Sequence, residues 1–159
     1  MIVHADFTCP YCALAHARLT ELERERPIRR VFRHMALKAK HPRAVALGQA
    51  AEAAAAQDAF WAFHDAVYAD QGRIDDPHLW ALAQRLGLDL DRFEHDRRAE
   101  AAVARVEMQT REAVLAGAMT TPTFLREGRP DDSLYNDLVR TRENEAKTRS
   151  ASERGSTER

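Results

Sequence analysis

The two cysteines of this chain are separated by only two residues and stand where a strand-like run gives way to a helix-like run. Ile2 and Val3 form an apolar lead-in typical of a buried strand, and residues 13–19 show the spacing of a helix. Since there is no other cysteine, Cys9 and Cys12 can pair only with each other within the chain. This junction constrains the fold more than any other feature, because a strand must end and a helix must begin at the dithiol.

The position of Cys9 predicts a nucleophile. Unpaired backbone N–H groups and the positive end of the helix dipole favour an anionic sulfur at a helix N-terminus, so we expect Cys9 to have a lowered pKa and to be an exposed thiolate. Pro10 suits the first helical turn because its φ is fixed and the N–H that it lacks would have no partner. Cys12 lies one turn later, further from solvent, where it can resolve a mixed disulfide at Cys9. Pro10 and Tyr11 are expected to tune the stability of the thiolate.

Charge and hydropathy argue against several classes of partner. With 24 basic and 25 acidic side chains among 159 residues, the composition offers no electrostatic attraction to nucleic acid or to an anionic membrane surface. No stretch approaches the roughly 18 apolar residues that span a bilayer. The sequence opens without the basic and apolar regions of a secretory signal, which predicts a cytoplasmic protein whose thiols stay reduced unless they cycle.

The order of the predicted elements indicates an α/β fold that is interrupted by helices. These elements are, in chain order, a strand at residues 1–6, a helix at 10–25, a strand at 30–35, three helices at 42–69, 75–87 and 91–115, a strand at 121–125, a turn at Glu127 and Gly128, and a helix at 131–142. The first three elements make a βαβ unit, which favours a parallel pair of strands and a right-handed crossover.

This order predicts one α/β core that is split by an insertion. The predicted segments are a βαβ half at residues 1–40, an inserted helical subdomain at 41–117, the second half of the core at 118–142 and a tail at 143–159. We expect the tail to be disordered, because it is charged, rich in serine and threonine and poor in apolar residues.

Three motifs in this order resemble the DsbA-like branch of the thioredoxin superfamily. They are Asp-Phe-Thr-Cys-Pro-Tyr-Cys at residues 6–12, Phe-Trp-Ala-Phe-His-Asp at 60–65 and Thr-Pro-Thr-Phe at 121–124. The resemblance covers roughly residues 2–140 and implies a thioredoxin-like fold with an inserted helical subdomain. It also implies a dithiol–disulfide oxidoreductase, with Cys9 and Cys12 as the catalytic pair, that acts on protein or small-molecule thiols and disulfides and needs no cofactor or metal.

The Thr121-Pro122 pair is the other part of the expected site. A proline cannot donate a hydrogen bond within a central strand, so Pro122 is predicted at a strand entrance, where a cis peptide is plausible. In the family that the sequence resembles, this peptide is cis and lies against the active-site sulfurs. Its backbone offers a strand-like edge to a substrate peptide, and recognition of that kind tolerates many sequences.

Two positions depart from the family pattern. Relatives often carry a glutamate six residues before the first cysteine, where it can handle the proton of the resolving cysteine, but here that position is Val3, beside His4. Relatives also form a final hairpin after the glycine turn. The corresponding residues 129–132 are Arg-Pro-Asp-Asp, which make a poor strand, so we expect an incomplete hairpin with at most an edge strand.

Other functions fit parts of the sequence. The cysteine pair could bind zinc with His16 and His4 as further ligands, although Pro10-Tyr11 favours a redox turn and no second Cys-x-x-Cys is present. Cys-Pro-Tyr-Cys is also the glutaredoxin motif, which predicts glutathione-linked reduction, although a long helical insert is not typical of glutaredoxins. A third hypothesis is a non-catalytic domain that uses the fold as a binding platform.

Several single residues have a simpler structural interpretation. His16 is interpreted as a residue of a pocket rim rather than a ligand or base. Asp6 is interpreted as a turn residue rather than a catalytic acid. The aromatic residues at helical spacing are expected to form the core of the inserted helices, although some could line a substrate groove; they are Phe60, Trp61, Phe63 and Tyr68.

Overall fold

The computed structural model describes residues 1–140 and 144. The predicted disordered tail at residues 143–159 lies outside the described residues except for residue 144. A four-stranded mixed sheet forms the centre of the fold, in the spatial order β2-β1-β3-β4. Its strands are β1 at Ile2–Ala5, β2 at Val31–His34, β3 at Thr123–Arg126 and β4 at Arg129–Pro130. The predicted α/β class is therefore confirmed.

The first half of the sheet is the predicted βαβ unit. Helix α1, at Pro10–Glu25, links β1 to β2, and these two strands are parallel in the register Val3 to Phe32. Strand β1 also pairs with β3 in the antiparallel direction, with Val3 opposite Phe124. Strand β1 is hydrogen-bonded to a neighbour on each side, and a short turn joins it to α1. The cysteine motif therefore lies at the end of a central strand of the sheet.

Five helices, rather than the predicted three, follow β2. They are α2 at Ala44–Ala55, α3 at Phe60–Ala69, α4 at Asp76–Arg85, α5 at Leu90–Arg98 and α6 at Glu100–Leu115. The first predicted helix is broken before α3, where Asp58 takes a left-handed conformation with φ of 59°. The third is broken at Ala99, whose backbone is extended. Both breaks fall in segments without glycine or proline, so the sequence carries no strong signal for them.

Small side chains allow the inserted helices to pack closely on the sheet. Helix α2 buries a row of alanines, and a Cβ added to Gly48 would lie 3.0 Å from Val106 and 3.2 Å from His34. The aspartates that cap α4 and α5, Asp75 and Asp89, accept hydrogen bonds from the third backbone amide after them. No helix among the described residues is long and apolar enough to cross a membrane.

The final hairpin is present but short, as expected from its sequence. Strand β4 has two residues and pairs only through Leu125 with Pro130 and Arg126 with Arg129. Positive φ angles at Glu127 and Gly128 form its turn. The predicted last helix begins as α7, at Asp132–Tyr135, and continues as a π-helical turn, Asn136–Arg140. Its predicted final residues, 141 and 142, lie outside the described part of the chain.

Candidate active site

The cysteine motif forms a tight turn between β1 and α1. The buried carboxylate of Asp6 accepts hydrogen bonds from the Thr8 amide at 2.8 Å, the Thr8 hydroxyl at 2.6 Å and the Leu37 amide at 3.3 Å. The Cys9 amide donates to the Asp6 carbonyl at 3.1 Å. The contacts with Thr8 and Cys9 are within the turn, which agrees with the interpretation of Asp6 as a turn residue, and the contact with Leu37 ties the turn to the segment after β2.

Cys9 is the N-cap residue of α1, with Pro10 and Tyr11 as the next two residues. Hydrogen bonding lowers the pKa of Cys9 to about 6; the largest contribution is the bond from the Cys12 thiol. Burial raises the pKa and opposes this shift, and smaller contributions from the Thr121 side chain and from the amides of Cys12 and Tyr11 lower it further. The predicted thiolate therefore has its physical basis both in the helix amides and in the second cysteine.

Exposure of Cys9 was expected, and here the prediction is wrong. Its exposed fraction is only 3%, against 41% for the neighbouring Tyr11. The Thr121-Pro122 segment causes this burial, since the Thr121 carbonyl lies 3.3 Å from the Cys9 sulfur and accepts its S–H when the thiol is protonated. The resemblance predicts this segment next to the sulfurs, but the extent of the burial depends on residues more than a hundred positions away and does not follow from the cysteine motif.

Cys12 lies one helical turn further in and is 2% exposed. Its pKa is raised well above the ordinary value, first by burial, then by the hydrogen bond to Cys9 and by the negative charge of Cys9. The two thiols of one motif therefore have opposite shifts. At neutral pH the outer sulfur is an anion that accepts a hydrogen bond, and the inner sulfur is the thiol that donates it.

The Thr121-Pro122 peptide is cis, as the sequence suggested. Both residues are buried, and they lie immediately before β3, so Pro122 stands at the strand entrance and not within it. The structure thus brings together all six predicted site residues at the N-terminus of α1 and the segment that covers it; they are Cys9, Pro10, Tyr11, Cys12, Thr121 and Pro122.

A small cavity of about 20 Å³ lies behind Cys12. Val3 lines it at the position where the family often has glutamate, so β1 gives this cavity an apolar wall. Its polar lining is supplied from other elements, by His16, Arg30, His64 and Tyr68, and the indole of Trp61 closes one side. The aromatic residues of α3 therefore serve two purposes, because Phe63 is fully buried in the core whereas Trp61 borders the cavity.

His16, His64 and Asp65 meet beside this cavity. The His64 Nδ1 donates to Asp65 at 2.7 Å, and the His16 Nε2 lies 3.7 Å from the same carboxylate oxygen. Burial is the largest cause that lowers the pKa of His16, to about 4, and the pKa of His64 is lowered for the same reason. Both rings are therefore neutral at physiological pH. His16 borders the pocket, as the sequence interpretation had it.

In the described part of the chain, the potential metal-ligand atoms of His16, His64 and Asp65 lie within 4.8 Å of one another. Neither cysteine belongs to the group, and His4 does not either. The zinc site that was considered for Cys9 and Cys12 with His16 and His4 is therefore not assembled. The Arg30 guanidinium, 3.3 Å from His16 and 4.0 Å from Asp65, already balances the carboxylate charge.

The sequence profile of the family described as Thioredoxin matches residues 1–140. The chain belongs to the thioredoxin family. Among solved structures, its fold is similar to a thioredoxin-like oxidoreductase from Silicibacter pomeroyi, with a TM-score of 0.71, 25% identity and coverage of 89% of this chain and 85% of that one. It is also similar to the oxidoreductase DsbA from Xylella fastidiosa, with a TM-score of 0.70, 18% identity and coverage of 94% and 85%.

The thioredoxin-family chain also matches the fold of a cytosolic disulfide reductase, DsbM, from Pseudomonas aeruginosa, with a TM-score of 0.65, 18% identity and coverage of 95% and 99%. Together these neighbours show a thioredoxin-like fold of the DsbA-like type. Among curated sequences, it is 39% identical over 137 residues to the Na⁺/H⁺ antiporter NhaA 3 of Salinispora tropica. That match includes 86% of this chain but only 21% of the antiporter, so the chain spans about a fifth of the curated relatives it matches.

Two features of this thioredoxin-family site were missed in the sequence. Gln71, just after α3, donates from its Nε2 to the carbonyls of Phe7 at 2.7 Å and Cys9 at 3.0 Å, and so holds the active-site turn from the insert. The pairing of His64 with Asp65 behind Cys12 was also missed. No local pattern signals either contact, although the proximity of His64 to the dithiol is consistent with its place in the second of the three motifs.

Proposed function

We propose that this chain is a dithiol–disulfide oxidoreductase that exchanges disulfides with protein or small-molecule thiols. The observation that carries the proposal is the pair of opposite pKa shifts, lowered at Cys9 and raised at Cys12, in two sulfurs that share a hydrogen bond. Such a pair separates the attacking thiolate from the resolving thiol before any substrate binds.

In the reducing direction, the Cys9 thiolate attacks a substrate disulfide. A Cys9–substrate disulfide forms, and the other substrate sulfur leaves as a thiolate. Cys12 then loses its proton and attacks the Cys9 sulfur, so that the Cys9–Cys12 disulfide forms and the second substrate sulfur is released. The substrate disulfide is thereby reduced by two electrons and the protein dithiol is oxidised; the reverse sequence oxidises a substrate dithiol.

The surroundings of the sulfurs suit an extended substrate peptide. The buried Thr121-Pro122 segment next to Cys9 leads directly into β3, and main-chain pairing there would accept many sequences. Exposed apolar side chains stand nearby along the chain, at Tyr11 beside Cys9 and at Met119, which is 81% exposed, before Thr121. Apolar surface of this kind fits partly unfolded protein substrates.

The degree of thiolate stabilisation also bears on the direction of electron flow. A Cys9 pKa of about 6 lies between the values of roughly 7 and 3.5 for thioredoxin and DsbA. A more stable thiolate stabilises the reduced form and raises the potential, so we place the potential of this pair between about −270 and −120 mV.

Equilibration of the protein with glutathione buffers of known potential tests this function. The expected result is one two-electron transition between the dithiol and the Cys9–Cys12 disulfide, within that range, together with reduction of insulin in a coupled assay. Cys9→Ser should reduce both activities to background, whereas Cys12→Ser should accumulate mixed disulfides with substrate. If no disulfide forms at any potential, the proposal is wrong.

Glutathione-linked reduction is the nearest alternative, since the motif Cys-Pro-Tyr-Cys is shared with glutaredoxins. The five inserted helices argue against it, because they supply Gln71 and the cavity wall to the site. The rates with a glutathionylated peptide and with insulin separate the two functions. A preference of about a hundredfold for the glutathionylated peptide, relative to insulin, would favour the glutaredoxin type.

A second candidate function is a non-catalytic or regulatory domain attached to a transporter. The observation that favours it is that matching sequences make up about a fifth of Na⁺/H⁺ antiporters. Exchange activity that depends on Cys9 would argue against a purely structural role.

We also propose a cytoplasmic location, because the structurally similar DsbM is described as a cytosolic disulfide reductase. Cell fractionation tests this proposal, and the expected result is that the protein appears in the cytosolic fraction.

A further inference from the structure

We propose that His64, oriented by Asp65, accepts the proton of Cys12 when the mixed disulfide at Cys9 is resolved. The inference rests on the proposed function, and it names the base for the one step in which a buried thiol must become a thiolate. The observation behind it is that Cys12 and His64 line the same small cavity. His64 is also hydrogen-bonded to Asp65, whose carboxylate is in contact with solvent.

The apolar wall of the cavity makes a base necessary. Val3 and Ala5 line it from β1 and carry no proton acceptor. The buried carboxylate of Asp6 already accepts three hydrogen bonds, two from Thr8 in the motif turn and one from the Leu37 amide after β2. A proton that leaves Cys12 therefore has to move towards the cavity and α3.

Hydrogen bonds select His64 over His16 as the acceptor. Arg30 donates to the Nδ1 of His16, so the proton of that ring is on Nε2, which faces Asp65 at 3.7 Å. In His64 the Nδ1 donates to Asp65 at 2.7 Å, which leaves a lone pair on Nε2. In His16 the lone pair of Nδ1 accepts from Arg30 and Nε2 carries the proton, so no acceptor is left, whereas the Nε2 of His64 is available as an acceptor.

The cavity is large enough for a water molecule that could pass the proton from Cys12 to His64. Its volume of about 20 Å³ is enough for one water molecule, since roughly 10–15 Å³ is needed. Cys12 and His64 line this space, and so does Tyr68, whose hydroxyl donates to the Asp6 carbonyl at 3.2 Å. From His64, the hydrogen bond to Asp65 leads outwards, because that carboxyl side chain is 53% exposed.

The charges around His64 permit transient protonation. Titratable and charged groups face His64 from three parts of the fold. They are Asp65 and Tyr68 on its own helix, His16 on α1, Arg30 just before β2 and His34 at the end of β2. Asp65 stabilises an imidazolium directly, while Arg30, which is paired with Glu23 at 3.1 Å and lies 4.0 Å from Asp65, opposes it. Neutral in the resting protein, His64 is ready to accept a proton.

The step balances, and mixed-disulfide formation prepares it. The hydrogen bond to the Cys9 thiolate and its charge both raise the pKa of Cys12, and both are lost when Cys9 becomes part of a disulfide. The Cys12 proton then moves to the Nε2 of His64, the Cys12 thiolate attacks the Cys9 sulfur, and the substrate sulfur leaves as a thiolate. His64 returns its extra proton to solvent past Asp65.

Stopped-flow reaction of the reduced protein with dithiobis-nitrobenzoate tests this assignment. The first coloured thiolate is released by Cys9 and the second by Cys12, so the two steps are observed separately. His64→Phe, which preserves an aromatic ring in the cavity, should slow the second release about tenfold to a hundredfold near neutral pH and leave the first within about twofold. The loss should shrink as pH rises, because hydroxide replaces the missing base.

Two further variants separate proton transfer from packing. Asp65→Asn, at a half-exposed position, should slow the second release by about threefold to tenfold. In His64→Ala, added imidazole should restore the second release, which a purely structural histidine would not allow. His78→Phe is the matched control, since His78 makes the same Nδ1 contact to Asp75 at 2.6 Å on the surface of α4 and should change neither release.

Several results would overturn the assignment. These are an unchanged second release in His64→Phe, equal losses in both releases, no rescue by imidazole, or an equal effect of His78→Phe. If the wild-type protein releases the first thiolate but never the second, the dithiol does not close and the proposed function itself fails. A failure of the proton acceptor is therefore distinguishable from a failure of the oxidoreductase.

Discussion

The two sides of the dithiol differ in chemistry rather than in exposure. On the Cys9 side, the first amides of α1 and the Thr121 side chain surround a sulfur that is 3% exposed. On the Cys12 side, an apolar cavity wall surrounds a sulfur that is 2% exposed. The pKa shifts are nevertheless opposite, so accessibility does not determine which cysteine is ionised. The hydrogen bond from the Cys12 thiol, together with smaller ones from Thr121 and the first amides of α1, outweighs the cost of burying the Cys9 charge.

The thiolate on the Cys9 side should have its largest effect on the pH dependence of stability. The Cys9 pKa is about 6 in the folded protein against 9.0 for a free thiol, so the folded state favours the thiolate. A lowered pKa contributes stability that is fully present above pH 9 and is lost as pH falls towards 6. We expect reduced protein to gain about 2 kcal/mol over this interval, a figure discounted for solvent screening.

Urea unfolding in the presence of reductant measures this difference, with Cys9→Ser as the reference. His4, His16 and His64 also have lowered pKa values, so their protonation destabilises the fold in acid, but all three are present in both proteins and their contributions cancel. A pH dependence equal to that of Cys9→Ser would contradict a stabilised thiolate on the Cys9 side.

The next largest effect concerns the link between the two sides. The Cys12 thiol makes the largest contribution to the low pKa of Cys9, so Cys12→Ala should raise that pKa by about one unit, or roughly 1.4 kcal/mol. Cys12→Ser keeps an O–H donor and should raise it less. The ultraviolet absorbance of the thiolate as a function of pH gives both values, and a Cys9 titration in Cys12→Ala identical to that of the wild type would show that the inner side chain is not the donor.

The smallest effect is expected at the insert. Gln71→Leu removes the donors to the Phe7 and Cys9 carbonyls and leaves those acceptors with less support. It should lower the free energy of unfolding by about 1 kcal/mol and slow Cys9 alkylation only modestly. Gln57→Leu is the matched control, because Gln57 bridges to the backbone of Asp89 within the insert and should leave Cys9 reactivity unchanged. A larger change in Cys9 reactivity for Gln57→Leu would place the coupling elsewhere.

Predictability from the sequence follows the distance over which contacts act. The turn at Asp6, the helix that begins after Cys9 and the strand that begins after Pro122 depend on neighbours in the chain, and all three are found as predicted. The breaks at Asp58 and Ala99 were missed because they arise where helices turn to pack and no glycine or proline marks them. Similarly, no motif gives the reach of Gln71 to a carbonyl 62 residues away.

Local sequence is enough to place two thiols at a strand–helix junction, with the inner thiol one helical turn after the outer one. The resemblance of its motifs extended this to the DsbA-like fold. The same resemblance predicts the Thr121-Pro122 peptide against the sulfurs. That Cys9 is buried there, and that His64 and Asp65 stand behind Cys12, depends on the folded chain. The reason is physical: backbone geometry fixes spacing along a helix, whereas the solvent, charge and hydrogen bonds around a sulfur are set by segments that only folding brings together.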